Sequence, residues 1–94
     1  TPLAGCRAVD GDTLHCQGVR VRLRGVDTPE RDEPRYREAG RALQAMVDAC
    51  RPGLTLIPHH RSRDRIVGDV LCGTTNLGQA MDEAGWSKPE GARR

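Results

Sequence analysis

Apolar and polar positions alternate most cleanly between residues 19 and 24. Val19, Val21 and Leu23 interleave with Arg20, Arg22 and Arg24. A period of two makes a strand with one apolar face and one arginine face. Upstream, residues 6–9 read as a short strand and Asp10-Gly11-Asp12 as a hairpin turn, with residues 13–16 returning as the second strand. Gln17-Gly18 then turns the chain into the arginine-faced third strand. Residues 25–34 form a loop rich in carboxylates and prolines. The period changes after it. Ala39, Ala42, Leu43, Met46, Val47 and Cys50 recur at helical spacing and make one buried stripe. Asp32 or Glu33 can cap this helix, Pro34 suits its first turn, and Pro52-Gly53 ends it. Residues 54–57 read as a fourth strand, 59–63 as a basic loop and 66–71 as a fifth strand closed by Gly73. Asn76 caps a short second helix, with Gln79 placed for a capping box. Leu77, Ala80, Met81 and Ala84 form its buried face, and Gly85 is its stop.

Five short strands, a long helix between the third and fourth, and a short helix after the fifth predict a mainly β fold with helices. The pattern suits a five-stranded Greek-key barrel of the OB type. An α+β sandwich satisfies it nearly as well. The 94 residues make one domain, with a core over 6–86 and a polar tail over 87–94.

Composition sharpens this. Aromatics are 2% and Phe is absent, so the core must be aliphatic. So short a chain usually needs cross-links, metal or a partner. Four cysteines without a Cys-x-x-Cys pair point away from zinc and toward two disulfides in an oxidising compartment, hence a secreted or periplasmic protein. Cys6 and Cys16 flank the first hairpin almost symmetrically and can face each other across it. The chain begins at Thr1, so either a signal peptide has been removed or the chain has been trimmed. No stretch is apolar enough to span a membrane, and no membrane partner is expected. A net charge of +2 does not by itself announce nucleic acid. The kind of charge is more telling. Lys88 is the sole lysine, and Arg is the better fork for phosphate. Codon usage in a GC-rich genome would produce the same excess.

The candidate chemistry lies in carboxylates at strand ends. Asp12 ends a hairpin turn, and Asp27 and Glu30 lie in Asp27-Thr28-Pro29-Glu30, just after the third strand. Asp-Gly-Asp and Thr-Pro-Glu are each common structural turns. Their joint occurrence around an arginine strand is what suggests chemistry. Two aspartates with a backbone carbonyl suit a hard cation, Ca²⁺ or Mg²⁺. A further carboxylate can take a proton from water. Arg22 can pair with a phosphate. Together these groups form a kit for phosphodiester hydrolysis. His59 and His60, in a polar stretch without a partner pattern, read as solvated.

Val9-Asp10-Gly11-Asp12-Thr13-Leu14, followed by Val21-Arg22-Leu23-Arg24-Gly25-Val26-Asp27-Thr28-Pro29-Glu30, resembles the staphylococcal nuclease (thermonuclease) family. Ile66-Val67-Gly68-Asp69-Val70 and the stretch from Asn76-Leu77 to Gly85-Trp86 are also similar to it, so the likeness covers about 6–86. The resemblance implies an OB barrel with added helices and calcium-dependent hydrolysis of DNA and RNA, single strands preferred, leaving 3′-phosphates. It implies Asp12, Asp27 and the Thr28 carbonyl as calcium ligands, with Asp10 behind them. Glu30 would be the general base and Arg22 a phosphate-binding group. A second catalytic arginine is expected before the fifth strand. On one alignment Arg65 fills that role, with Arg63 and Asp64 replacing a Tyr and a Gly of the motif and Arg63 touching substrate. On the other, Asp64-Arg65 opens the motif and the catalytic Arg is missing. The family's tail tyrosines are absent; Tyr36 and Trp86 read as packing residues. Cys50 and Cys72 come together in the family fold and are expected to pair. A monomer is expected. The alternative to an enzyme is a nucleic-acid-binding OB module with weak or no turnover.

Overall fold

The computed structural model describes residues 1–88. Its elements are β1 (Pro2–Leu3), β2 (Cys6–Asp10), β3 (Thr13–Cys16), β4 (Val19–Leu23), α1 (Tyr36–Ala49), β5 (Leu54–Ser62), β6 (Arg65–Cys72), β7 (Thr75–Asn76) and α2 (Leu77–Glu83). The fold is mainly β, with two helices and one mixed sheet. The hydrogen-bonded path runs β1-β5-β6-β4-β3-β2, with β7 added to β6. Only the β4–β6 pairing is parallel, with Arg20 opposite Arg65 and Arg22 opposite Val67. The path has two ends, β1 and β2, instead of the ring of five expected. These ends are consecutive in the chain, separated by Ala4 and Gly5, where Gly5 turns with φ 60°. Thr1 and Leu56 exchange backbone hydrogen bonds, so the N-terminus is stitched to β5.

The local chemistry explains these elements. Gln17 (φ 47°) and Gly18 (φ 85°) both take the left-handed conformation that a two-residue hairpin turn requires. The alternation of 19–23 holds from Arg20 onward, while Val19 at the hairpin turn is exposed. Val21 and Leu23 are buried while Arg20 is exposed. The helical stripe faces inward through Ala39 and Leu43, and α1 packs on β2. The core is aliphatic: Leu14, Val21, Leu23, Leu43, Leu56, Val70, Leu77 and Met81 are nearly inaccessible to water. Disulfides join Cys6 to Cys16, a directly opposed cross-strand pair, and Cys50 to Cys72. No helix among the described residues is long and apolar enough to cross a membrane.

Several local expectations need correction. The fourth strand does not stop at residue 57. It runs to Ser62, because β6 pairs with it throughout and a bulge between Pro58 and His60 absorbs the proline's missing N–H. The basic loop over 59–63 is therefore mostly strand. Pro34 lies outside α1, and neither Asp32 nor Glu33 caps it. Arg35 holds the N-cap position with φ 71° and no side-chain cap. Glu33 instead accepts the Glu30 amide at 2.6 Å. Asn76 caps α2 as expected, accepting the Gln79 amide, but the Gln79 side chain turns to Glu83 and leaves the capping box half made.

Candidate active site

The β2–β3 hairpin turn, the end of β4 and the loop after it meet at Asp12. The Asp12 carbonyl accepts the Leu23 amide at 2.8 Å, which fixes the turn against β4. Gly11 permits the approach. A Cβ there would stand 2.7 Å from both Ala39 Cβ and Thr28 Oγ1. The Asp12 carboxylate faces inward, accepting the Thr28 amide (3.0 Å) and the Thr13 hydroxyl (3.2 Å). Asp10 stands behind it, its Oδ1 accepting the Asp12 amide at 3.1 Å. Arg22 Nη2 lies 3.4 Å from Asp12 Oδ2 and 3.6 Å from Asp27 Oδ1. Its Nη1 donates to the carbonyls of Val26, at 2.9 Å, and Leu23. One guanidinium thus holds two carboxylates and closes the turn that carries Asp27.

Asp12 is the strained charge of this group. Burial, above all, pushes its carboxyl up from the ordinary value of 3.8. The neighbouring Asp10 adds to this, while Arg22 and the Thr28 amide oppose it without cancelling it. The folded chain therefore binds this proton more tightly than the unfolded chain does. The stabilisation is present at acid pH and is lost as pH rises through the folded-state value. Asp12→Asn is expected to raise the metal-free melting temperature at pH 7, since Asn keeps an acceptor for Thr28 without the charge. The gain over wild type should shrink as pH falls and wild-type Asp12 takes up its proton, which it does at higher pH in the folded than in the unfolded chain. Paired thermal melts at pH 7 and at acid pH measure this; a lower melting temperature for the variant at pH 7 would contradict it.

Glu30 stands apart from the pair. Its side chain is 69% exposed, and its ion-pair partner is Lys88 at 3.8 Å. Lys88 Nζ also pairs with Glu33 at 3.3 Å, and the Lys88 amide donates to the Asp27 carbonyl at 2.8 Å. The Glu30 amide, with help from Lys88, holds the Glu33 carboxyl below its usual range. Ser87 Oγ accepts the Asp27 amide at 3.3 Å. The Trp86 indole lies under the Arg35 guanidinium, 4.3 Å away. Residues 86–88 are thus a strap over the 27–35 loop, and Glu33, Ser87 and Lys88 belong to the site's surroundings. The reading of 87–94 as tail missed this for 87 and 88; residues 89–94 lie outside the described residues. The one available signal was the isolation of Lys88 as the only lysine among fourteen arginines.

Arg65 opens β6 and is exposed; among the described residues it has no partner. Arg63 sits at the tip of the β5–β6 turn, also exposed. The positive φ of that turn falls on Arg63 (57°). His59 is not merely solvated: its Nε2 lies 3.0 Å from Asp69, which also draws Arg24 to 3.4 Å.

The oxygen donors match a hard cation in kind. Asp12 and Asp27 converge on one point of positive charge, and Thr28 Oγ1 is buried beside them with no hydrogen-bond partner. The number of side chains is smaller than a dedicated cage would have. Among the described residues no group of three or more His, Cys, Asp or Glu is gathered to hold a metal. Two carboxylates and a backbone carbonyl are what the chain offers. No protein-family model matches the chain, and no curated protein is similar to it, so the functional reading stands on this geometry and on the sequence motifs.

Proposed function

We propose that the chain is a secreted, calcium-dependent phosphodiesterase of the staphylococcal nuclease type, built on an OB-like barrel whose ends are bridged by the β1–β2 segment. The observation that carries the reading is the Arg22 guanidinium between Asp12 and Asp27. A cationic fork beside two hard-oxygen donors supports a phosphate-binding role for Arg22. Asp12, Asp27 and the Thr28 carbonyl would hold the calcium ion, which when bound supplies a Lewis acid for a phosphoryl oxygen. Asp10 orients Asp12 through the turn. Arg22 binds the phosphate and stabilises its developing charge, and Arg65 reaches it from the same face of the sheet. Arg63 touches the flanking strand. Glu30 takes a proton from the attacking water. The water oxygen bonds to phosphorus, the bond to the 5′ oxygen breaks, that oxygen takes up a proton from solvent, and a 3′-phosphate and a 5′-hydroxyl result. DNA and RNA are both substrates on this reading. Single strands are favoured, because a small open face must reach the backbone.

Metal-stripped protein mixed with single-stranded DNA is expected to cleave only when calcium is added. Glu30→Gln should lower that rate by at least about a hundredfold, as removal of a general base does. Equal cleavage by the two proteins would mean that Glu30 is not the base. A second reading has its own observation. Glu30 pairs with Lys88 and Arg65 has no partner, which suits a nucleic-acid-binding module without efficient turnover. DNA binding without cleavage by either protein would select it.

A further inference from the structure

The strand registers align basic residues into a transverse row. Arg7 is opposite His15, His15 opposite Arg20, and Arg20 opposite Arg65. The row crosses β2, β3, β4 and β6 on the face turned away from the core. Arg7, Arg20 and Arg65 are exposed and His15 is half-buried. At the usual strand spacing the row spans about 14 Å. None of the three arginines has a hydrogen-bond or ion-pair partner among the described residues. Arg20 and Arg65 are directly opposed like charges, an arrangement that destabilises a sheet. The contrast with Arg24 is instructive. It lies further along the same face, and there Asp69 neutralises it while His59 lies within hydrogen-bond reach. The row therefore carries a concentrated charge that the protein does not satisfy internally. It also runs parallel to the site, because Arg22 sits two residues beyond Arg20 on β4, about 7 Å away.

We propose that this row is a phosphate track for a single-stranded nucleic acid, holding the strand across β2, β3, β4 and β6 alongside the Arg22 site. Fourteen ångströms accommodate roughly four nucleotides at a stacked rise of about 3.4 Å per step. The row carries no Phe, Tyr or Trp, and its one ring, His15, is half-buried, so base stacking is a minor part of the grip. The grip is electrostatic, independent of sequence and steeply salt-dependent. The proposal rests on the phosphodiesterase reading only in naming the anion.

The test is fluorescence anisotropy of the full chain with a labelled oligothymidylate longer than about 16 nucleotides, in EDTA, over a range of salt. The double variant R7A/R20A is expected to bind about tenfold more weakly at low salt. Its plot of log affinity against log salt should be shallower by about 1.4, two contacts at roughly 0.7 each. R37A/R41A removes the same charge from exposed positions of α1 and should leave the slope unchanged. Thermal melts of both doubles verify folding. Equal losses in the two doubles would overturn the track in favour of net charge. So would a wild-type chain that ignores the oligonucleotide while binding anionic vesicles. Calcium-dependent hydrolysis of bis(p-nitrophenyl) phosphate separates the two ideas. Intact hydrolysis with an unchanged salt slope in R7A/R20A sinks the track alone. Salt-sensitive binding through the row without any hydrolysis sinks the catalytic reading alone.

Discussion

Arg22→Ala is expected to cost about 3–5 kcal/mol of folding stability in the absence of calcium and to lower DNA cleavage by about a thousandfold or more. The two losses share one cause. Nη2 lies 3.4 Å from Asp12 and 3.6 Å from Asp27, while Nη1 donates to the carbonyls of Leu23 and Val26. Asp12 and Asp27 are 10% and 31% exposed at the side chain, so the solvent screens the first of them poorly. Removing the guanidinium leaves a buried carboxylate without its counter-charge and releases the turn that carries Asp27. Calcium should then restore part of the stability, because a cation between the carboxylates replaces the lost one. Arg22→Lys should fall between, since an ammonium keeps the charge but cannot fork between two carboxylates and two carbonyls. Urea unfolding with and without calcium, beside cleavage rates, measures all of this. A stability change below about 1 kcal/mol would mean that the pairs behave as ordinary surface ion pairs.

Full reduction of the disulfides is the second large effect. The bridges close loops of 10 and 22 residues. Chain-entropy reasoning assigns each about 3 kcal/mol. A domain of this size has only about 5–14 kcal/mol in total. The reduced chain is therefore expected to be largely unfolded at 37 °C, with its circular dichroism collapsed and calcium-dependent cleavage gone. Replacing one pair with alanines should leave a folded protein with a melting temperature lower by roughly ten degrees or more. The Cys50–Cys72 pair should matter slightly more, since its loop is longer and it ties the end of α1 to the end of β6. A reduced protein that melts within a few degrees of the oxidised one would refute this account.

The parts of the fold that were legible in the sequence are those where a local pattern decides. The alternation of Val and Arg over 19–23 could bury only one face. Gln17-Gly18 could make only a tight turn. The Ala39–Cys50 stripe had helical spacing, and Cys6 and Cys16 flanked one hairpin. The parts that were not legible depend on distant partners. Strand β5 continues past Pro58 because β6 lies beside it, which nothing near Pro58 announces. Glu33 looked like a helix cap until the Glu30 amide and Lys88 claimed it. For the site, Asp12, Arg22 and Asp27 were visible because turn and strand positions locate them. The partner of Glu30 was not, because Lys88 is 58 positions away and carries no local signal.

The strap of residues 86–88 has an optical consequence. Trp86 is the chain's only tryptophan, and its indole is seated against Arg35 at the edge of the candidate site. Its emission therefore reports the docking of the strap and little else. Release of the strap would bring the ring into water and shift that emission to the red. The protein thus carries an intrinsic fluorophore beside its carboxylates. Titration with calcium or with a short oligonucleotide can be followed by its glow, without any attached label.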